Sequence, residues 1–514
     1  MDDSSARENA GATPRRTVDL LSRKIPHNIL KLIPYEMMRR HQMLPFDLRD
    51  GKLLVAMADP DDIASMNQVR ILTGYEPEVF SASSTEIIES LTRSFEGLGI
   101  DITSDAFGLS FLISNSKKSG IPEAGSIVDK LIDIAIDGKA SDIHIEPQSR
   151  SFFARLRVDG VLNTVHSFPK SLQASVSSRI KVMAGLDIAE KRLPQDGQFH
   201  QTHRDREIDF RVSTLPGKYG EKIVIRILDK SSLNFGLDRL GFDPETQGIF
   251  ESLVEKPHGL ILVTGPTGSG KTSTLYATLN RLRSPLKNII TLEDPVEYEI
   301  LSGGAGNEIG ITQVQVNPKI GFTFASGLRA ALRQDPDVIM VGEIRDKETA
   351  ETAMKASLTG HLVLSSLHTN DAPSALTRLR DMGIEPYLIA STVIGVLAQR
   401  LLRLLCNSCK EPYKLPERLA RELSSNRRDS SQTVFYRAKG CRDCHGTGYS
   451  GRSGIFELLS MTEPLKHAIY SGASLAEIYQ FLQSKGFKNL RAIGLKSVGS
   501  GLTSVEEVFR VTSE

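Results

Sequence analysis

The sequence has little net charge, few cysteines and no long apolar run, and each shortage excludes a class of protein. Lys and Arg number 63 against 62 Asp and Glu, so the composition carries no overall attraction to nucleic acid or to an anionic membrane. No stretch approaches the roughly 18 consecutive apolar residues that a membrane-spanning helix needs. Four cysteines in 514 residues cannot form a disulfide scaffold.

The first five residues also lack the basic start and apolar core of a signal peptide. We therefore expect a cytoplasmic protein whose contact with a membrane is peripheral. The length is the first positive signal, because 514 residues at about 150 per domain predict three to four domains. Short apolar strands that alternate with helical patterns indicate an α/β fold with a parallel sheet in the second half of the chain.

A phosphate-binding loop follows a predicted buried strand. The apolar run from Leu260 to Thr264 leads into Gly265-Pro266-Thr267-Gly268-Ser269-Gly270-Lys271-Thr272, and a helical pattern begins at once. Glycines let successive backbone N–H groups turn toward a phosphate, and the helix start adds the positive end of its dipole. Lys271 is then expected to neutralise the β- and γ-phosphates of ATP, and the Thr272 hydroxyl to bind Mg²⁺. A chance match is the alternative, which the order of strand, loop and helix disfavours.

Two candidate catalytic carboxylates stand where strands end. Glu293 follows the strand Ile289–Leu292, and Glu343 follows Val338–Val341 after Gly342. The carboxyl ends of strands border the ligand crevice of an open α/β sheet. Glycine occupies the place of the usual Mg²⁺-binding aspartate, so Glu343 is best placed to orient or deprotonate the attacking water. Helix capping is the alternative role for such residues.

Histidines bracket the next predicted strand, Leu362–Leu367. His368, at the carboxyl end, is a candidate for sensing the γ-phosphate or for holding the water. His361 lies at the opposite end of the strand. Structural hydrogen bonding is the alternative for a lone histidine.

Arginines recur on strands ahead of the phosphate-binding loop. Arg155 and Arg157 share one face of a strand, Arg211 lies in a second strand, and Arg226 interrupts an apolar run. An arginine that reaches the γ-phosphate from a separate domain stabilises transition-state charge. Solvated or salt-bridged strand residues are the alternative.

The four cysteines form two C-x-x-C pairs, Cys406 with Cys409 and Cys441 with Cys444. Thiolates at this spacing converge on one tetrahedral ion, and four of them leave no open coordination position, so we expect structural Zn²⁺. A redox pair is the alternative, and a reducing compartment disfavours it.

Taken together, these motifs resemble the GspE/PilB secretion and pilus-assembly ATPases. The resemblance covers nearly all of residues 18–514 and rests on the loop, the acidic box Thr291–Glu299, the Glu343 segment and the histidine box from Thr359 to Asp371, in the family's order. It implies that Arg211 and Arg226 approach the nucleotide, that Glu343 is catalytic, and that the protein is a cytoplasmic homohexamer lying peripherally at the inner membrane.

The resemblance also implies partners. A ring of this kind moves an inner-membrane platform protein, with an associated cytoplasmic adaptor, and so adds pilin-like subunits to a filament. The cysteine tetrad favours assembly over retraction, and segments such as Asp209–Ser213 are closer to type IV pilus members than to type II secretion members. Longer relatives carry an N-terminal Arg-Leu-Gly block that forms part of a cyclic-di-GMP site. This block is missing after the short tail here, so binding of that dinucleotide is not expected.

The motifs divide the chain into predicted segments. They are a tail at 1–16, an N-terminal α+β interaction domain at 17–95, a linker at 96–124, an α/β domain that supplies arginines at 125–230, a linker at 231–242, a RecA-like ATPase domain at 243–400, a Cys₄ zinc segment at 401–455 and a helical C-terminal region at 456–514.

Two other functions remain open from the sequence. A nucleic-acid translocase shares the RecA-like core, but the near-zero net charge and the lack of a groove that combines aromatic and basic residues argue against it. A nucleotide-gated scaffold without enzymatic activity needs a dead site, whereas Lys271, Thr272 and Glu343 are all present.

Overall fold

A computed structural model defines the fold over six parts of the chain. It describes residues 18–96 except 21–22, 24, 31, 34–37 and 39–40, residues 124–204, 206–229, 236–300 and 311–414, and residues 434–512 except 442 and 445. The predicted tail, nearly all of the first linker and the start of the second linker lie outside these residues. Within them, no helix has both the length and the apolar character required to cross a bilayer.

The N-terminal part is a three-stranded sheet with helices. Asp50 and Gly51 both have positive φ and close an antiparallel hairpin, and Asp-Gly is a residue pair that favours such a turn. The third strand runs parallel to the second, in the order β1-β2-β3. The elements are helix α1 (His27–Leu30), strands β1 (Met43–Arg49), β2 (Lys52–Met57) and β3 (Glu76–Ser81), and helices α2 (Ile63–Thr73) and α3 (Ser84–Glu96).

The middle part is a six-stranded antiparallel sheet in the order β6-β5-β4-β9-β8-β7. Its strands alternate buried apolar residues with polar residues, so one face packs on two helices and the other carries charged side chains. The elements are α4 (Ala124–Asp137), β4 (Ala140–Pro147), β5 (Ser151–Val158), β6 (Val161–Pro169), α5 (Gln173–Met183), β7 (Gln195–His203), β8 (Arg206–Gly217) and β9 (Gly220–Asp229).

The third part contains the parallel sheet that the sequence predicts. Seven strands lie in the order β12-β11-β13-β14-β10-β15-β18, all parallel except the last. Strands β10, β11, β13 and β14 are buried along their whole length, because helices cover both faces. The strands up to β15 are β10 (Gly259–Thr264), β11 (Ile289–Glu293), β12 (Thr312–Gln315), β13 (Val338–Val341), β14 (Leu362–Leu367) and β15 (Val393–Leu405).

Helices flank this sheet. They are α6 (Pro244–Val254), α7 (Lys271–Leu282), α8 (Phe324–Ala331), α9 (Lys347–Leu358), α10 (Ala372–Asp381) and α11 (Pro386–Thr392).

The C-terminal part differs from the predicted segment boundaries. The predicted end of the ATPase domain at 400 falls inside β15, and the predicted boundary at 455 falls inside β18 (Tyr449–Ser460). Pairing of β18 with β15 buries Ile455, Phe456 and Leu459 in the core of the parallel sheet. The predicted boundaries depend on local sequence patterns, which do not reveal this long-range pairing. The cysteine segment therefore lies between two neighbouring strands of the parallel sheet, and it carries the ribbon β16 (Glu411–Tyr413) and β17 (Phe435–Arg437).

Of the four C-terminal helices, the last two pack on β15 or β18 of this sheet and the first two pack mainly on other helices. The four are α12 (Glu463–Tyr470), α13 (Leu475–Ser484), α14 (Leu490–Gly499) and α15 (Val505–Thr512). The buried carboxylate of Glu457, on β18, accepts the first backbone N–H of α10 at 2.8 Å and that of α14 at 2.9 Å. It therefore ties the helical C-terminal region to a helix that flanks the parallel sheet.

Candidate functional site

The phosphate-binding loop joins β10 to α7. Gly265, Gly268 and Gly270 have φ of 150°, 79° and 92°, which favour glycine. A Cβ at Gly265 would lie 2.6 Å from the Ser269 hydroxyl and 2.7 Å from the backbone oxygen of Gln399, so only glycine fits there. The loop brings backbone N–H groups and the positive end of α7 to one point, the geometry of an anion site.

Lys271 opens α7 and lies over its own loop. Its ammonium donates to the backbone oxygens of Gly265 at 2.7 Å and Pro266 at 3.2 Å. Burial lowers the pKa of Lys271 to about 8, Glu343 raises it, and the like charge of Arg400 lowers it further. The charge on Lys271 that would neutralise a phosphate therefore depends on the burial of the ammonium and on the charges of Glu343 and Arg400.

Gln399, which our sequence analysis missed, supports the loop from β15. Its amide nitrogen donates to the backbone oxygen of Ser269 at 2.7 Å, and the side chain is buried. The available signal is a polar residue, next to Arg400, in a long and mostly apolar strand. Such a residue needs a partner, but sequence alone does not show which loop provides it.

Glu293 ends β11 and is enclosed by donors. Its carboxylate accepts a hydrogen bond from the Tyr276 hydroxyl, one of 2.6 Å from Thr291 and one of 3.2 Å from Gln313. Burial and the neighbouring carboxylate raise the pKa of Tyr276, which keeps the tyrosine a donor. Glu293 lines the cavity described below, but its oxygens are engaged by the protein.

Glu343 lies two residues beyond the end of β13 and faces the phosphate-binding loop. It forms an ion pair with Arg345, and its carboxylate lies 3.4 Å from Nε2 of His368. Burial raises the pKa of Glu343, but Arg345, His368 and Lys271 outweigh burial and hold it below its usual value. Glu343 is therefore a carboxylate at neutral pH, with 19% of its side chain exposed.

The two histidines have different places in the fold. His368 follows β14 on the same side as Glu343 and is half exposed. His361 precedes β14, and its Nδ1 lies 2.9 Å from the backbone oxygen of Ala356 near the end of α9. His361 therefore has the structural role that the sequence left open, whereas His368 borders the site.

The arginines belong to a row that crosses the middle sheet. Arg157, Asp142, Arg226 and Arg211 lie directly opposite one another on β5, β4, β9 and β8. Directly paired residues project to the same face of a sheet. Four strands thus bring three arginines and one aspartate into a line on the polar face.

Arg211 and Arg226 are neighbours in this row but have different partners. The guanidinium of Arg211 donates to the backbone oxygen of Val296 at 3.1 Å and to Glu297 at 3.3 Å, both in the acidic box that follows β11. Arg226 contacts Asp142 through Nε at 3.4 Å, and its side chain is 56% exposed. Arg226 lines the cavity that is described below. Arg211 links the middle sheet to the acidic box beside that cavity.

The cavity, of about 430 Å³, collects most of the predicted residues. From the part that contains the parallel sheet it is lined by Thr267, Gly268, Gly270, Lys271, Thr272, Glu293, Glu343 and His368, and from the middle sheet by Ser141, Arg226, Ile227 and Leu228. Arg452, at the start of β18, also lines it and was not predicted, because nothing local to the sequence marks it. The Arg452 guanidinium lies 3.2 Å from Asp159 of the β5–β6 turn, so a second contact joins the middle sheet to the parallel sheet.

The residues around the cavity suit a nucleotide with a divalent cation. The Thr272 hydroxyl lies in the first turn of α7 beside the loop, and hydroxyl and carboxylate oxygens are ligands that Mg²⁺ prefers.

The four cysteines converge at one point away from the cavity. The sulfurs of Cys406 and Cys441, of Cys409 and Cys444, and of Cys441 and Cys444 lie 3.8, 3.8 and 3.7 Å apart. A tetrahedral ion with bonds of about 2.3 Å places its ligands about 3.8 Å apart, whereas bonded disulfide sulfurs are about 2.05 Å apart. The cluster thus has the geometry of a structural zinc site and not of a disulfide.

Comparison with known proteins gives two family matches. A model of the family described as Type II/IV secretion system protein matches residues 119–510, and a model of the MshEN domain matches residues 12–100. The first match contains the six-stranded middle sheet, the seven-stranded sheet with the phosphate-binding loop, and the cysteine cluster.

Relatives of two kinds are similar over nearly the whole chain. The type IV pilus assembly ATPase PilB of Myxococcus xanthus is 42% identical over 510 residues, which span 96% of this chain and 88% of that protein. The type II secretion system protein E of Dickeya dadantii is 44% identical over 499 residues, 94% of this chain and 97% of that protein. In the solved structure of the ATPase DotB from Yersinia pseudotuberculosis, a chain 20% identical superposes with a TM-score of 0.55 over 74% of this chain and 92% of that one, a likeness of fold alone.

Proposed function

The chain belongs to the family of type II/IV secretion system proteins and is an ATP-hydrolysing enzyme, and on this basis we propose that it powers assembly of a type IV pilus or of a type II secretion pseudopilus. It acts as a cytoplasmic homohexamer, peripheral at the inner membrane, and passes motion to a platform protein there. Relatives of the two kinds match to similar extents, so the proposal includes both filaments. These relatives are filament and secretion proteins, so the nucleic-acid translocase hypothesis is not retained.

The observation that carries the proposal is the composition of the cavity. Phosphate-binding groups and a carboxylate come from the motor part, and Arg226 comes from the sheet that precedes it. A nucleotide bound between two parts of a chain couples its chemistry to their relative movement. This arrangement suits a motor better than a static scaffold.

Within the cavity we assign each group one task. Lys271 and the loop N–H groups bind the phosphates, and Mg²⁺, held by Thr272, supplies further positive charge when it is bound. Glu343 accepts a hydrogen bond from the attacking water and takes its proton, since the low pKa keeps it ionised. His368 supports Glu343, and Arg226 meets the charge that develops on the γ-phosphate.

Two predicted residues receive narrower roles. The donors around Glu293 already occupy its oxygens, so it positions the acidic segment and does not transfer a proton. Arg211 approaches the nucleotide site indirectly, by holding the middle sheet against Val296 and Glu297. Its loss would loosen the contact between the two parts of the chain.

Outside the cavity we propose two further features. The cysteine cluster holds Zn²⁺ and keeps its segment folded. The N-terminal domain contacts a cytoplasmic adaptor. The MshEN model matches this domain, and the expectation that it does not bind cyclic-di-GMP stays a prediction. Calorimetric titration of the full chain with cyclic-di-GMP tests this, and saturable binding would contradict it.

The assembly role is tested with the purified full chain. ATP turnover is measured alone, with the cytoplasmic domain of a platform protein, and with single-stranded DNA. We expect stimulation by the platform domain and none by DNA, and a hexamer in native mass spectrometry with Mg-ATP. Stimulation by DNA alone would reverse the assignment, and a Lys271→Ala variant gives the background of each assay.

A further inference from the structure

Asp142 occupies the centre of the arginine row. On one side its carboxylate lies 3.4 Å from Nε of Arg226, and on the other it lies 3.5 Å from Nε of Arg157. The Ser141 hydroxyl donates to it at 2.8 Å. Its side chain is only 11% exposed, so this carboxylate is nearly buried between two guanidinium groups.

The atoms used in these contacts are informative. Asp142 holds Arg226 by Nε, and the described part of the chain offers no partner to either Nη group of Arg226. The end of a guanidinium binds phosphate through two parallel hydrogen bonds from its Nη groups. Contact at Nε therefore fixes the direction of Arg226 and leaves its phosphate-binding end open to the cavity that it lines.

We propose that Asp142 is the positioning residue that directs Arg226 toward the γ-phosphate. The inference rests on the function proposed above for Arg226. Arg157 completes the arrangement, because it donates to the backbone oxygen of Gly160 at 3.0 Å and stays beside Asp142. When Arg226 binds a phosphate, Asp142 keeps Arg157 as a partner. The nearly buried carboxylate of Asp142 therefore stays paired.

The same strand provides a matched control. Glu146 lies four residues further along β4 on the same face and also pairs with two cations, Arg155 at 3.0 Å and Lys222 at 3.1 Å. None of these three residues lines the cavity. A purely structural role for carboxylates on this face predicts similar consequences for both, whereas positioning of Arg226 predicts a difference.

The experiment measures kcat and KM for ATP and the melting temperature of the full chain. The variants are Asp142→Asn, Glu146→Gln, Arg226→Ala and the double variant of Asp142 and Arg226. We expect Asp142→Asn to lower kcat about tenfold with KM within about threefold of wild type, because aligned charge matters most in the transition state. Glu146→Gln should keep kcat within about twofold.

The double variant separates positioning from general support. If Asp142 acts through Arg226, adding Asp142→Asn to Arg226→Ala lowers kcat no further, whereas independent effects multiply. A multiplied loss, or equal losses in Asp142→Asn and Glu146→Gln, would overturn the positioning role and leave that of Arg226 intact. Near-normal kcat in Arg226→Ala would overturn both.

A second variant covers the case in which Asp142→Asn does not fold. Ser141→Ala removes the hydrogen bond that orients the carboxylate and leaves the charges in place. We expect a smaller loss of kcat, about threefold, that vanishes in the Arg226→Ala background. An unchanged kcat in folded Ser141→Ala would count against the proposal.

Discussion

Nucleotide affinity should fall as the pH rises through the pKa of Lys271. Burial lowers this pKa to about 8, so the ammonium is mostly charged at pH 7 and mostly neutral at pH 9. Only the charged form neutralises phosphate. The group binds nucleotide when protonated, so affinity is fully present well below pH 8 and is lost above it.

The size of the effect follows from the fraction protonated. One pH unit above the pKa, about one Lys271 in ten carries its proton, so the apparent Kd rises about tenfold, or ~1.4 kcal/mol. Glu343 raises the pKa of Lys271 through its charge. The Glu343→Gln variant should therefore begin to lose affinity at a lower pH than wild type.

Titration with a fluorescent, non-hydrolysable ATP analogue between pH 7 and 9.5, at constant Mg²⁺ and ionic strength, measures this. Far-ultraviolet circular dichroism over the same range shows that the fold persists. A wild-type Kd that stays constant to pH 9.5 would refute the reasoning, and so would a midpoint that moves upward in Glu343→Gln.

Three further predictions concern the site and the metal. Lys271→Ala should abolish ATP turnover, whereas Glu343→Gln should bind ATP and lower kcat at least about 100-fold; wild-type turnover in purified Glu343→Gln would remove its catalytic assignment. The chain should hold one Zn²⁺, and Cys406→Ser should release it and lower the melting temperature; elemental analysis that finds no zinc in reduced, freshly purified protein contradicts this. Arg226→Ala should lower kcat at least about tenfold with a nearly unchanged melting temperature, because exposed ion pairs contribute about 0 to 1 kcal/mol to stability; the reverse ordering in thermal and kinetic assays indicates a structural salt bridge.

Local features of the fold were predictable from the sequence. The Asp50-Gly51 hairpin and the strand, loop and helix around Lys271 each depend on residues close together in the chain. The order of strands was not predictable, because β18 joins the motor sheet only through pairing with β15. Apolar residues such as Ile455 and Phe456 fit a strand or a helix equally well until that partner is known.

The candidate site shows the same division. The position of Glu343 and His368 near the loop was predictable, because both follow short apolar strands and parallel strands end at one edge. Arg211 and Arg226 both lie in similar strand patterns in the sequence. Only the structure shows that Arg211 contacts Val296 and Glu297, whereas Arg226 faces the cavity. Arg452 reaches the same cavity from beyond the cysteine segment, a distance that no local pattern spans.

The four-cysteine segment leaves the motor sheet and returns to it at a single place. Leu405 pairs with Tyr449, and the backbone N–H of Cys406 donates to the oxygen of Gly448 at 2.9 Å. Since neighbouring strands lie about 5 Å apart, a turn of a few residues is long enough to join them. The segment is thus an insertion in a hairpin. A single insertion or deletion in an ancestral gene could add or remove it without changing the rest of the sheet. A chain without the segment would keep the same sheet and the same candidate nucleotide site.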